Sequence, residues 1–226
     1  MSSTGADRSH DGVAVLASGG LDSAVLTAKF LGEGRVVQPI YIRFGLAWEA
    51  TEEDHLQRFL ETLPNSELRP LVALELPVAD TYGSHWSLSA DDVPDADTPD
   101  EAVYLPGRNL LLLAKSSIWC ALHGYPTIAL GTLKGNPFAD SSREFFGDVE
   151  ALVHTAVDHQ LEIATPFSEL DKTQVLERGR HLQLQHTFSC IDPTAAVHCG
   201  RCNKCAERQR AFAEASVDDV TTYADR

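Results

Sequence analysis

Leu16-Ala17-Ser18-Gly19-Gly20-Leu21-Asp22-Ser23 decides the fold of this chain. The apolar run Val13-Ala14-Val15-Leu16 precedes it and reads as a buried β-strand, and Ala24-Val25-Leu26-Thr27-Ala28-Lys29-Phe30 follows it and reads as a helix. A glycine-rich turn between a strand and a helix N-terminus offers free backbone N–H groups to an anion. Gly19 and Gly20 let the backbone approach a phosphate closely, and Ser18 and Ser23 add hydroxyl donors. The turn lacks the lysine of the Gly-x-x-x-x-Gly-Lys-Ser/Thr loop, and it is not a Gly-x-Gly-x-x-Gly dinucleotide turn.

Outward from the turn, Val36–Phe44 reads as a second strand and Trp48–Leu63 as a helix with Leu56, Phe59, Leu60 and Leu63 on one face. Leu71–Pro77 is a third strand, Pro126–Gly131 a fourth, and Ile163–Phe167 a short edge strand. Helices are expected over Leu110–His123, with Asn109 as its N-cap, and over Glu144–Gln160. Ser168-Glu169-Leu170-Asp171 looks like a capping box opening a helix to about Arg180, with Lys172 in its first turn. Strands alternating with helices predict an α/β fold, a parallel sheet with helices on both faces. Ligands bind such sheets at the carboxyl ends of the strands, where Ser18–Ser23 lies. Asp80–Glu101, with Asp91, Asp92, Asp95, Asp97, Asp100 and Glu101, reads as a solvated surface loop or lid. The polar loop Thr132–Arg143 offers Lys134, Asp140 and Arg143 at the same sheet edge, and Arg108, just outside the helix start, could reach a bound anion.

The chain has 226 residues and a formal charge of -15, so non-specific binding to nucleic acid is not expected. It has no apolar run long enough to span a membrane, and polar Met1–Asp11 does not read as a secretory signal, so a cytoplasmic location is expected. Four of the five cysteines, Cys190, Cys199, Cys202 and Cys205, fall within sixteen residues. That spacing argues for metal, with tetrahedral structural Zn²⁺ as the first reading and a redox pair or an iron–sulfur cluster as alternatives. Cys120 reads as an inert core thiol.

Ser-Gly-Gly-x-Asp-Ser resembles the PP-loop of the ATP pyrophosphatases. Together with Cys190-x8-Cys199-Gly200-x-Cys202-x-x-Cys205, Ser87-Leu88-Ser89, Asp91-Asp92, Leu105-Pro106-Gly107-Arg108-Asn109 and Lys172 after a Thr-Pro, it resembles the 7-cyano-7-deazaguanine synthases from Val13 to about Phe212. The resemblance implies a PP-loop, adenine nucleotide alpha-hydrolase-like domain over residues 12–185 and a small zinc-binding helical region over 186–226. It also implies an ATP- and Mg²⁺-dependent C–N ligase of queuosine biosynthesis. That enzyme turns the carboxylate of 7-carboxy-7-deazaguanine into a nitrile with ammonia, through an adenylated acid. Leu16, Ala17, Ser18, Gly19, Gly20, Leu21, Asp22 and Ser23 would hold ATP and its Mg²⁺, Asp22, Arg108, Lys134 and Asp140 would serve the chemistry, and the four cysteines would hold Zn²⁺. The partners implied are small molecules and a second copy in a homodimer, with neither nucleic acid nor membrane.

Two segments depart from the family pattern. A Tyr-Gly-Gln-Arg-His-like segment is replaced by Phe44-Gly45-Leu46-Ala47-Trp48, and the segment Thr132–Arg143 is rewritten, with Asp140, Glu144 and Phe145 retained. The competing readings are therefore a paralogue that adenylates another carboxylate, small or protein-linked, a PP-loop sulfurtransferase acting on tRNA, and a non-catalytic nucleotide-binding module.

Overall fold

The computed structural model describes residues 12–63 and 66–225; the reading of Met1–Asp11 lies outside them. Five strands, β1 (Gly12–Leu16), β2 (Val36–Arg43), β3 (Val72–Glu75), β4 (Thr127–Ala129) and β5 (Glu162–Ala164), form one sheet in the order β3-β2-β1-β4-β5. Every pairing is parallel. Strands covered on both faces read as unbroken apolar runs, which is why Val13–Val15 shows no alternation. Pro39 sits inside β2 without breaking it: on that outer side Val37 donates to the Glu67 carbonyl, and β3 pairing begins only at Ile40↔Val72.

Side chains alternate between two cores. Ala14, Ile40, Ile128 and Ile163 face α5 (Arg108–His123) and α6 (Arg143–Val157), with Leu113, Cys120, Phe146 and Val149 opposite them. Val13, Val15, Val37 and Ala129 face α1 (Leu21–Gly32), α7 (Lys172–Gly179) and α8 (Asn203–Glu214), through Leu26, Phe30, Val175 and Phe212. Cys120 is fully buried, and burial pushes its thiol up to about 12, as expected of an inert core residue. The helix α2 (Glu49–Glu61) covers Ala17 and Tyr41 with Leu56, Phe59 and Leu60. Packing crosses the boundary expected after residue 185: Ala211, Phe212 and Ala215 belong to the same core as β1. Among the described residues, no helix is long and apolar enough to cross a membrane.

Three local expectations are corrected. The helix α5 begins at Arg108, one residue before the expected cap, with Gly107 in the left-handed region at φ 72°. Asn109 is therefore not its N-cap. Its N–H instead donates to Asp140 Oδ2 at 2.9 Å, and its side-chain amide donates to the Asp140 carbonyl at 3.0 Å, so a carboxylate distant in sequence caps the helix. The capping box of α7 runs Asp171 to Gln174 rather than Ser168 to Asp171, because Ser168–Leu170 is spent on turns closing on Thr165 and Phe167. The acidic segment is more than a solvated loop. It contains α3 (Ala79–Tyr82) and α4 (Trp86–Ser89) and is tied down where the Ser87 carbonyl accepts from Ala47 and the Pro94 carbonyl from Asn203.

Candidate active site and metal centre

The reversal of strand order beside β1 opens a crevice at the carboxyl ends of β1 and β4. The Ser18–Ser23 turn sits there. Gly20 takes the N-cap position of α1 with no side-chain cap, so the first-turn N–H groups are left to an incoming anion. Gly19 has φ +76°, and a Cβ on it would stand 3.1 Å from the Glu52 carbonyl and 3.3 Å from Leu56 Cβ. Only glycine allows α2 to lie this close to the turn. The Gly19 carbonyl accepts from Phe188 N–H at 2.7 Å, so the cysteine-bearing segment pins the turn from the other side.

The crevice has two continuous lobes of about 260 and 350 Å³. The first runs over the strand ends between Leu16, Ile40, Ile42, Leu112 and Leu130. Trp48, Trp86, Phe188, Ile191, Lys172 and Lys204 wall the second, in which Trp48 and Trp86 stack at 5.6 Å between ring centroids. Ser18, Asp22, Glu52 and Arg108 line both.

The charges in this crevice are paired across elements. Asp22 Oδ2 accepts from Lys172 Nζ at 2.7 Å, while Asp22 Oδ1 is buried with no partner among the described residues. A buried carboxylate oxygen left open beside a glycine-rich turn fits a Mg²⁺ ligand, because Mg²⁺ is bound through one or two carboxylates plus substrate phosphates. Lys172 also reaches Glu207 at 3.3 Å, and Glu207 accepts from Lys204 at 2.7 Å. Burial raises the Glu207 carboxyl, but Lys172 and Lys204 outweigh it and hold the pKa down at about 2. Burial lowers Lys172, yet Asp22 and Glu207 prevail and raise it, so it stays an ammonium. Glu52 behaves oppositely. Burial lifts it from 4.5 to about 7, against the opposing pull of Arg108 and of a 2.7 Å hydrogen bond from Tyr41.

Of the residues singled out in the sequence, Ser18, Asp22, Ser23, Arg108 and Asp140 meet in the crevice. Lys134 does not: it is exposed, it is absent from both lobes, and its backbone N–H donates to the Leu170 carbonyl at 2.9 Å. From that rewritten loop Asn136 and Phe138 line the crevice instead. Arg143 is spent on the Ile163 carbonyl at 3.0 Å and on Glu150. In the other altered segment, Glu49 accepts from the N–H groups of Phe44 at 2.6 Å and Gly45 at 3.0 Å, and Leu46 and Trp48 turn into the crevice. Sequence reasoning missed Glu52, Lys204, Glu207 and Trp86. Only the positions of Lys204 and Glu207, on either side of Cys205, carried any signal.

Cys190, Cys199, Cys202 and Cys205 are buried, with all four Sγ atoms within 4.8 Å of one another. Cys190 to Cys202 and Cys199 to Cys205 are each 3.9 Å apart. Tetrahedral Zn–S bonds of about 2.3 Å set sulfur pairs about 3.8 Å apart, so the donors fit Zn²⁺ with no position left over. Backbone N–H groups of Asp192 and Cys199 point at Cys190 Sγ, each at 3.3 Å, and those of Arg201 and Cys202 point at Cys199 Sγ at 3.4 and 3.3 Å. Such donors stabilise thiolates and orient them for a metal. His198 is turned away to accept from Ser189 N–H at 3.2 Å, and burial lowers its pKa to about 3.

A parallel sheet with a glycine-rich turn at its switch point, closed by a four-cysteine cluster, defines a PP-loop-like α/β fold. The chain belongs to the family described as "Queuosine biosynthesis protein QueC", whose model matches residues 12–216. A 7-cyano-7-deazaguanine synthase from Solidesulfovibrio magneticus is 31% identical over 92% of this chain and 94% of its own length. One from Syntrophobacter fumaroxidans is 29% identical over 92% and 94%. One from Methanococcus aeolicus is 27% identical over 91% and 96%. Among solved structures, a 4-thiouridine synthetase–RNA complex with bound ATP aligns with a TM-score of 0.51 at 16% identity, over 91% of this chain and 50% of that one, a likeness of fold.

Proposed function

We propose that the protein converts the carboxylate of a 7-carboxy-7-deazaguanine to the nitrile, using ammonia and ATP. The observation that carries this reading is the two-lobed crevice, whose lobes meet at Ser18, Asp22, Glu52 and Arg108. One lobe suits a nucleoside and the other a planar acid, so the acid and the α-phosphate come together at the phosphate turn. A carboxylate does not react with ammonia at neutral pH until its oxygen becomes part of a leaving group. Transfer of AMP to the carboxylate, with loss of pyrophosphate, provides one. Ammonia displaces AMP to give the amide. A second adenylation, now on the amide oxygen, followed by loss of AMP and protons, gives the nitrile. No protein nucleophile is required. Catalysis rests on alignment and on stabilising charge.

In this reading the α1 N-terminus and Ser18–Ser23 hold the phosphates. Asp22 Oδ1 would hold Mg²⁺, and that ion would supply charge neutralisation for the pyrophosphate leaving group. Lys172 adds a second cation there, and Arg108 bridges the acid and the α-phosphate. Asp140 acts by fixing the first turn of α5, and so Arg108, rather than as an acid or base. Lys134 is left without a role. The four cysteines hold a structural Zn²⁺. The cytoplasmic location expected from the sequence and the homodimer implied by the resemblance remain part of the proposal. Exposed Ile118, Leu122 and Leu152 give the dimer an apolar face, and sedimentation velocity tests it.

A second reading keeps the chemistry and changes the acid. The observation favouring it is the apolar wall of Leu46 and Trp48, from the segment where the family pattern carries polar and basic groups, with Trp86 stacked on Trp48. Mass spectrometry after incubation with ATP, Mg²⁺, ammonium and 7-carboxy-7-deazaguanine separates the two. A nitrile with two AMP per turnover supports the first. Mg–ATP binding without a deazaguanine product supports the second.

A further inference from the structure

Glu207 has no place in the chemistry described above, yet it stands in the crevice wall. It sits on α8, which Cys202 caps and to which Cys205 belongs, so the metal ligands set its register. Its carboxylate holds two ammonium groups, Lys204 at 2.7 Å and Lys172 at 3.3 Å. Lys172 in turn spans to Asp22 at 2.7 Å. All four side chains are about a quarter exposed, between 23% and 29%, which places them at the wall of the cavity rather than in bulk solvent.

This arrangement has a consequence once nucleotide arrives. A Mg²⁺ ion on the open Asp22 Oδ1 would draw negative charge away from the Oδ2 that Lys172 holds, and so weaken that ion pair. Without a second acceptor, the ammonium would be free to leave on its flexible four-carbon stem. We infer that Glu207 is a positioning residue: it keeps Lys172 aimed at the phosphates once Asp22 shares its charge with the metal, and so links the cysteine cluster to the Ser18–Ser23 turn. Lys204 shares the load by holding Glu207 in the same rotamer. The inference rests on reading Ser18–Ser23 as the nucleotide site, but not on the identity of the acid.

The test uses the full chain loaded with zinc and titrates Mg–ATP by the fluorescence of Trp48 and Trp86, so no acid substrate is needed. E207A is expected to weaken Mg–ATP binding about tenfold, the scale of a lost charge-assisted contact, with zinc content equal to wild type. E207D restores part of the loss, which a packing role would not allow. In a K172M background, E207A changes the affinity less than about twofold, because its effect passes through Lys172. K204M, which leaves Glu207 and Lys172 in place, weakens binding in the same direction by a smaller factor. Unchanged affinity in E207A, loss of zinc with it, or full additivity with K172M would each overturn the inference. Absence of Mg–ATP binding by the wild type overturns the nucleotide-site reading and this inference with it.

Discussion

Replacing Glu52 with Gln should change how the stability of the ligand-free protein depends on pH. Glu52 lies on α2 against the phosphate turn, and burial raises its carboxyl from 4.5 to about 7. The folded chain therefore keeps this proton up to about pH 7, whereas the unfolded chain releases it near pH 4.5. Across that window the folded state binds more protons, so stability falls as pH rises. At about 1.4 kcal/mol per pH unit, the ionised carboxylate costs about 3 kcal/mol by pH 8. Glutamine keeps an acceptor for the Tyr41 hydroxyl and removes the charge. Urea unfolding of both proteins at pH 5, 6, 7 and 8 should show E52Q gaining about 2–3 kcal/mol on wild type between the ends of the series. Parallel curves would refute the reasoning, for they would mean that Arg108 or solvent already compensates the charge. Added Mg–ATP brings phosphate charge to the same wall, so the measurement is made without it.

Other substitutions probe the remaining parts of the crevice. Asp22→Ala should abolish ATP cleavage and weaken Mg²⁺-dependent nucleotide binding while zinc content holds at wild-type level; loss of zinc in this variant would show that Asp22 supports the fold instead. Cys202→Ser should lower zinc content and solubility together, and a stable, zinc-free and active variant would contradict a structural metal. Asp140→Ala removes the acceptor for Asn109 N–H at the start of α5. A cost of about 1–2 kcal/mol in chemical denaturation is expected, together with slower turnover through Arg108; full stability with slow turnover would point to a direct chemical role.

The sheet was legible because its signals are local. Val13–Leu16 and Val36–Phe44 are apolar runs that a doubly covered strand needs, and Gly19-Gly20 marks the turn between strand and helix. Asp22 and the four cysteines were legible for the same reason, since neighbours in sequence are neighbours in the site. What failed was long-range. Asn109 looked like a cap because Asn favours that position, yet Gly107 supplies the backbone conformation and Asp140 the carboxylate. Lys134 carried the right charge in the right loop, but its backbone bond to Leu170 leaves it on the surface. Nothing local in the sequence marks Glu52 as buried or fixes the partners of Glu207. Their meaning comes from Tyr41, Lys172 and Lys204, which tertiary packing brings to them.

The hydrogen bond from Phe188 to Gly19 joins a turn made early in synthesis to a segment made much later. The central strand β1 likewise shares its core with Phe212. The Ser18–Ser23 turn can thus be synthesised long before it can be set, and a nascent chain halted ahead of the cysteines would carry an unfinished sheet face and an unanchored turn. A metal held by the four cysteines would then fix the turn only after the cysteine segment has been made.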